Sequence, residues 1–331
     1  MEPTSREKIR AVAEKALRIG TIANLAVVAS ALAALLLLGE HTRPTFFLLY
    51  LPLHPFAASS ALLLLLALLL RAHRLSVASI VALLVALFPL MGLRVGRSRE
   101  AHGPRLRLLT YNILYAKLDR SALVAQIAGA QADVIVLQAS RTSFANNELK
   151  AALPGYTVQA DDEFVLATKL KILDREFPYR FPDDALVGYV RTTLEGPTGP
   201  FRVIDVHPQS ARQGLMDRAN LANDVEIRRR QLGAAVEAAA RGTEPVIIVG
   251  DTNLPPLSAV ARKALAPYRD AFDEVGAGFG YTFPAKLPWM RIDRALGGPG
   301  IRWLAVRVLP RGASDHLPVV VDFEVEPAGS R

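Results

Sequence analysis

The chain has 331 residues, 51% of them hydrophobic, with 39 Lys/Arg against 31 Asp/Glu. That length predicts one large domain plus an appendage, and a mean hydropathy of +0.24 argues against a simple soluble enzyme. With no cysteine, disulfides, thiolate catalysis and Cys-ligated metals are excluded.

The N-terminal tail is basic, carrying Arg6, Lys8, Arg10, Lys15 and Arg18. Three uncharged runs follow, at residues 19–39, 44–70 and 75–93. Each exceeds about 18 residues, the length at which an apolar helix spans a bilayer. Pro52 and Pro55 interrupt the second run, which predicts a kinked, re-entrant or interfacial first half. The basic tail favours a cytoplasmic N-terminus, so three spans place everything after Leu93 outside the cytoplasmic membrane. Arg94, Arg97, Arg99, Arg105 and Arg107 pull the other way.

Residues 94–104, RVGRSREAHGP, read as a linker, and a folded domain is expected over 105–326 with a short tail at 327–331. Before residue 94 there are 8 Lys/Arg against 4 Asp/Glu, and after it 31 against 27, so the domain's charge excess is too small to announce a nucleic-acid groove. LRLLTYNIL and ADVIVLQ read as strands, separated by SALVAQIAGAQ, where Leu123 and Ile127 at i, i+4 predict a helix. FRVIDVHP predicts a strand, LANDVEIRRRQLGAAVEAAA a helix, and EPVIIVGDTN, RIDRALGG and LPVVVDFEV three more strands. Residues 161–199 give no clear reading, because Pro, Gly and charges break every apolar run. Arg228, Arg229 and Arg230 read as a solvated helix face.

Polar residues gather at the strand ends: Asn112 after the first, Gln138 after the second, His207 after the third, Asp251 and Asn253 after the fourth. Asp293 sits in the fifth strand, and Asp315 and His316 precede the last. Such a distribution suits a site on one edge of a packed sheet. Of 6 histidines, His41, His54 and His73 lie in the apolar region and His102 in the linker. Only His207 and His316 remain in the domain, both at these positions.

The ordered set TYNI, VIVLQ, VHP, VGDTN, RID and SDH resembles the endonuclease/exonuclease/phosphatase family, which includes DNase I-like nucleases, sphingomyelinases and inositol phosphatases. The resemblance implies a two-sheet, four-layer α/β sandwich of DNase I-like type, preceded here by a helical transmembrane region. It implies Mg²⁺ or Mn²⁺ held by Asn112 and Asp315, Asp251 orienting or deprotonating a water, and Asn253 holding a developing oxyanion. Asp293 would orient His316 as general base or phosphate contact, and His207 would bind phosphate or protonate the leaving oxygen.

Where the family reads LQE, this chain reads Leu137, Gln138, Ala139. The family's Glu is its principal metal-binding carboxylate, and alanine offers no oxygen in its place. Strand alternation turns Gln138 to the opposite face from residue 139, which leaves Glu148, Asp161, Asp162 or Glu163 as carboxylates able to reach in from a loop.

The three-run arrangement resembles bacterial membrane phosphatases of the teicoplanin-resistance type. Together these readings predict a multi-pass, membrane-anchored, metal-dependent phosphoesterase. Its partners would be a lipid bilayer and a phosphorylated lipid or other phosphoester, with nucleic acid possible but not favoured. A membrane-anchored nuclease is the second reading, and a catalytically weakened pseudoenzyme that binds a phosphorylated ligand is the third. Tyr281, Phe283 and Trp289 are expected to line the mouth for either substrate or to pack in the core.

Overall fold

The computed structural model describes residues 4–178, 188–216 and 220–327. The chain divides into two compact units at the Leu93/Arg94 boundary.

The first unit is helical: α1 (Ser5–Leu37), α2 (Arg43–Tyr50), α3 (His54–Leu69) and α4 (His73–Val85), the last extended by a π-turn over Ala86–Leu90. A capping box starts α1, with the Glu7 amide donating to Thr4 Oγ1 at 3.3 Å and the Thr4 amide to Glu7 Oε2 at 2.6 Å, so the helix begins well before the apolar run. By length and composition, Ser5–Leu37 and His73–Leu90 can each cross a membrane. The α2 and α3 pair counts as a third span only if its 78° bend is one crossing. Pro52 and Pro55 fall at that bend, as the sequence predicts. Asn24 links α1 to α3, donating to Ser60 Oγ at 2.8 Å and accepting from Ser59 Oγ at 2.7 Å. Ile19, Ile22, Leu65 and Leu69 meanwhile stay exposed.

The second unit holds fourteen strands among its described residues. In chain order they are β1 (Arg94–Val95), β2 (Leu106–Asn112), β3 (Val134–Gln138), β4 (Thr157–Asp161), β5 (Phe164–Thr168), β6 (Ile172–Glu176) and β7 (Tyr189–Gly196). Then come β8 (Gly199–Val206), β9 (Val246–Asp251), β10 (Arg269–Asp270), β11 (Ala277–Gly278), β12 (Asp293–Gly297), β13 (Ile301–Val308) and β14 (Val319–Val325). Two six-stranded sheets form, ordered β13-β14-β2-β3-β5-β4 and β10-β12-β9-β8-β7-β6.

Leu108, Val136, Val203, Ile247, Val249, Val321 and Phe323 fill the space between the sheets with Trp303, which is fully buried and donates Nε1 to Arg269 O at 2.9 Å. Outside the first sheet, Leu123 and Ile127 of the helix Arg120–Gly129 cover Leu109, Ile135 and Leu137. Outside the second, Leu232, Ala235 and Ala238 of the helix Leu221–Ala240 cover Ile204 and Ile248. The result is the four-layer sandwich expected from the sequence.

Two expectations are corrected. Residues 94–104 are held along the domain: β1 pairs with β11, the Gly96 amide donates to Gly276 O at 2.7 Å, and the Gly103 amide donates to Glu324 Oε1 at 2.6 Å. Backbone donors that find partners override the loop-like composition. Arg228 is buried in its helix, where Nε donates to Asp224 O at 3.2 Å, so the arginine triplet is not a uniformly solvated face.

Candidate active site

Side chains alternate along a strand, so each strand contributes one row to the space between the sheets. In β2 that row is Leu106, Leu108, Thr110 and Asn112; in β3 it is Val134, Val136 and Gln138. In β9 it runs Ile247, Val249, Asp251, and in β8 Phe201 and Val203 lead to Asp205 and then His207 just past the strand. The rows are apolar until their last members. The parallel pairings of β2 with β3 and β8 with β9, and the antiparallel pairing of Asp293 with Asp251, bring the polar members to a common edge.

At the centre lies Asp251, 1% exposed. Its Oδ2 accepts from Asn112 Nδ2 at 2.9 Å and lies 3.6 Å from both His207 Nε2 and His316 Nε2. Its Oδ1 accepts the Asn253 amide at 2.8 Å. Each imidazole is backed by a carboxylate on its other nitrogen. His316 Nδ1 lies 2.9 Å from Asp293 Oδ2, and His207 Nδ1 lies 3.0 Å from Glu163 Oε1. Burial opposes charging of His316, yet the Asp293 and Asp251 carboxylates outweigh it and lift its pKa to about 9. Burial likewise opposes charging of His207, and Glu163 overrides it to raise the pKa above the ordinary value. Both imidazoles therefore favour their protonated form more than a free histidine does.

Local geometry fixes these positions. Gly250 has φ +139°, and a Cβ there would lie 2.1 Å from Val206 O, so only glycine lets β9 approach β8 just before Asp251. Ser314 Oγ donates to Asn112 O at 2.7 Å, tying the segment that carries His316 to the end of β2. The Phe283 ring packs 4.7 Å from the His316 ring, while Tyr281 stacks on Phe279 at 5.2 Å. Leu114, Tyr115 and Ala116 run in the left-handed region with φ near +50°. Such a turn costs on the order of 1–2 kcal/mol per residue. It places Tyr115 so that its hydroxyl donates to Glu163 Oε2 at 2.9 Å.

The structure brings together Asn112, His207, Asp251, Asn253, Asp293 and His316. Asp315 adjoins them, its Oδ1 accepting from Ser314 Oγ at 3.4 Å and its carbonyl accepting the Ala285 amide at 2.7 Å. Asn253 Nδ2 donates to Pro208 O at 2.9 Å. Asp293 does not pair with its arginine neighbours, because Arg291 and Arg294 each reach Asp270 Oδ2 at 2.8 Å. Of the loop carboxylates, Glu148 pairs with Arg120 and Asp161 with Arg175, and Glu163 at the β4–β5 hairpin enters the site. No motif marks Glu163; only its place beside a hairpin tip could have singled it out.

Gln138 Nε2 donates to Asp205 Oδ1 at 2.6 Å and pairs with Thr110, bridging the two sheets beneath the site. Burial pushes the Asp205 carboxyl well above its usual range.

Asp251, Asp293 and His316 offer two carboxylates and an imidazole with ligand atoms within 4.8 Å of one another. That mixed oxygen and nitrogen set fits a divalent metal. Ala139 is 4% exposed and adds no side-chain donor, and Asn112 Oδ1 already accepts the Leu114 amide at 3.1 Å.

A buried carboxylate flanked by two carboxylate-backed imidazoles, on the edge of a DNase I-like sandwich, defines a class of phosphoester hydrolases. The Endonuclease/Exonuclease/phosphatase family model matches residues 109–316, and the chain belongs to that family. No curated protein matches the chain. Among solved structures it is similar to humanized D. rerio TDP2, at 18% identity and a TM-score of 0.55 over 67% of this chain and 99% of that one. It is similar also to a functionally unknown conserved protein from Enterococcus faecalis V583 (17% identity, TM-score 0.53, 67% and 100% covered). A third is an endonuclease/exonuclease/phosphatase from Bacteroides vulgatus (16% identity, TM-score 0.52, 68% and 100% covered). Identities this low speak for the fold alone.

Proposed function

We propose that this chain is a membrane-anchored, divalent-metal-dependent phosphoesterase that hydrolyses a phosphate ester or pyrophosphate carried by a lipid, outside the cytoplasmic membrane. The observation that carries the reading is the convergence of two carboxylate-backed imidazoles on Asp251 at 3.6 Å, in a chain with helices long and apolar enough to cross a membrane. Such helices hold the domain at high local concentration over a lipid substrate. The basic N-terminal tail supports the extracytoplasmic orientation.

Asp251 takes the proton of the attacking water, kept in register by the Asn112 side chain and the Asn253 amide. His316, fixed by Asp293, contacts the phosphoryl oxygens. His207, fixed by Glu163, protonates the leaving oxygen, a task its raised pKa suits near neutral pH. Asn253 holds the developing oxyanion. Asn112 and Asp315 would hold a divalent cation beside these groups. When bound, the cation supplies charge compensation on the phosphoryl oxygens.

The test is phosphate release by the full chain from a lipid pyrophosphate, a phospholipid diester and DNA in parallel. The reading expects turnover of a lipid substrate well above DNA. Preferential cleavage of DNA makes the chain a nuclease, and binding without turnover makes it a pseudoenzyme.

A further inference from the structure

Among the described residues of the second unit, six large apolar side chains are exposed: Val95, Tyr115, Leu118, Leu173, Met216 and Leu287. Four of them sit on three segments that leave the same sheet edge as the site. Tyr115 and Leu118 follow Asn112, Met216 follows His207, and Leu287 lies on the segment running into Asp293. A single exposed leucine needs no explanation, whereas several on segments that leave one sheet edge point to a contact surface. Leu118, Met216 and Leu287 are 50%, 81% and 72% exposed.

Each segment also carries an exposed cation within four residues of its apolar side chain: Lys117, Arg212 and Lys286. Among the described residues of these segments and the β4–β5 hairpin, the exposed acids are Asp119, whose Oδ1 caps the helix Arg120–Gly129 through the Ala122 amide at 3.0 Å, and Asp162. Two of the segments are braced. Tyr115 is tied to Glu163 at 2.9 Å and lies 5.2 Å beneath the Lys117 ammonium, and the Ala285 amide donates to Asp315 O at 2.7 Å.

We propose that this rim is a membrane-contact surface for anionic lipid. Leu118, Met216 and Leu287 enter the boundary between head groups and acyl chains, while Lys117, Arg212 and Lys286 meet lipid phosphates. Apolar side chains interleaved with cations are the composition an anionic interface selects. The inference rests on the lipid-phosphoesterase reading and deepens it: the substrate is taken from the bilayer surface, not from solution.

The chain has no cysteine, so Leu118→Cys, Leu287→Cys and Leu173→Cys each give one labelling site in the full-length protein. Leu173 lies in β6 towards the end away from the site and serves as control. With an environment-sensitive fluorophore in proteoliposomes, positions 118 and 287 are expected to shift to the blue and to be quenched by spin-labelled lipid. The effect is expected to be several-fold stronger when phosphatidylglycerol is added to phosphatidylcholine, with position 173 unchanged. Equal exposure to an aqueous quencher at all three positions overturns the proposal. Shielding at 118 and 287 without lipid quenching also overturns it, by showing a protein on this face. In a second arm, Lys286→Glu with Leu287→Asp is expected to raise KM about tenfold for a bilayer-borne phosphoester and to leave a soluble short-chain one unchanged. Lipid quenching without any turnover defeats the phosphoesterase reading and leaves the docking surface. Turnover without quenching does the reverse.

Discussion

The two halves of the site are built alike and buried differently. In each, a carboxylate holds one imidazole nitrogen while the other faces Asp251. Asp293 and His316 have side chains 0% and 7% exposed, against 15% and 16% for Glu163 and His207. The Asp293–His316 half is seated between strand ends, where desolvation makes each charge interaction count for more. The Glu163–His207 half hangs from a hairpin and opens toward solvent. In the proposed mechanism the deeper half anchors phosphoryl charge and the outer half exchanges a proton at the mouth.

If that division holds, removing the deeper imidazole does the most damage. His316→Ala is expected to lower kcat about 10⁴-fold, the upper end of what one positioned imidazole contributes, with the fold retained by circular dichroism. His207→Ala is expected to cost about 10²-fold, the lower end of that range, with a larger loss for poor leaving groups than for activated ones. Equal losses in the two variants would erase the comparison.

Glu163→Gln sharpens it at a smaller scale, with roughly a tenfold loss of kcat expected from an outer partner of a working imidazole. Glu163 raises the His207 pKa above its ordinary 6.5, and His207 in return lowers that of Glu163. The pair therefore stabilises the fold fully between the usual carboxylate range and pH 6.5. That contribution fades as pH rises through the elevated His207 value or falls through the depressed Glu163 value. Histidine NMR titration of the metal-free protein should show the His207 midpoint falling on the Glu163→Gln change.

The smallest effect is expected beneath the site. Asp205→Asn keeps an acceptor oxygen for Gln138 and should shift the melting temperature little. Asp205→Ala removes the partner of one Gln138 N–H, leaving only the Thr110 contacts, and should cost about 1–3 kcal/mol by denaturant titration.

The same contrast explains how much the sequence discloses. Strands β2, β3, β8, β9 and β14 and the helices Arg120–Gly129 and Leu221–Ala240 are legible because apolar runs and spacing match their periods. Asp293 and His316 are legible because RID and SDH stand next to strands. Glu163 is legible only as one of four loop carboxylates able to reach the site, since nothing local distinguishes the hairpin carboxylate that meets its histidine across the fold. Residues 161–199 hide β5, β6 and β7, and in β6 and β7, an edge strand and its neighbour, polar residues blur alternation; residues 179–187 of that stretch lie outside the described residues. The left-handed turn at Leu114–Ala116 has no glycine to announce it. The pairing of residues 94–104 along the domain escapes because a two-residue strand such as β1 leaves no periodic signal.

In the proposed mechanism this site hydrolyses a phosphoester with a bound divalent cation although position 139 supplies no carboxylate. The most direct test measures phosphate release from a lipid pyrophosphate by the full chain with Mg²⁺ or Mn²⁺ and with EDTA, beside Ala139→Glu. The account expects metal-dependent turnover by the chain as it stands, abolished by EDTA, with Ala139→Glu lowering the metal concentration needed for half-maximal rate. Turnover that appears only in Ala139→Glu would contradict it and leave a phosphate-binding domain on a hydrolase fold.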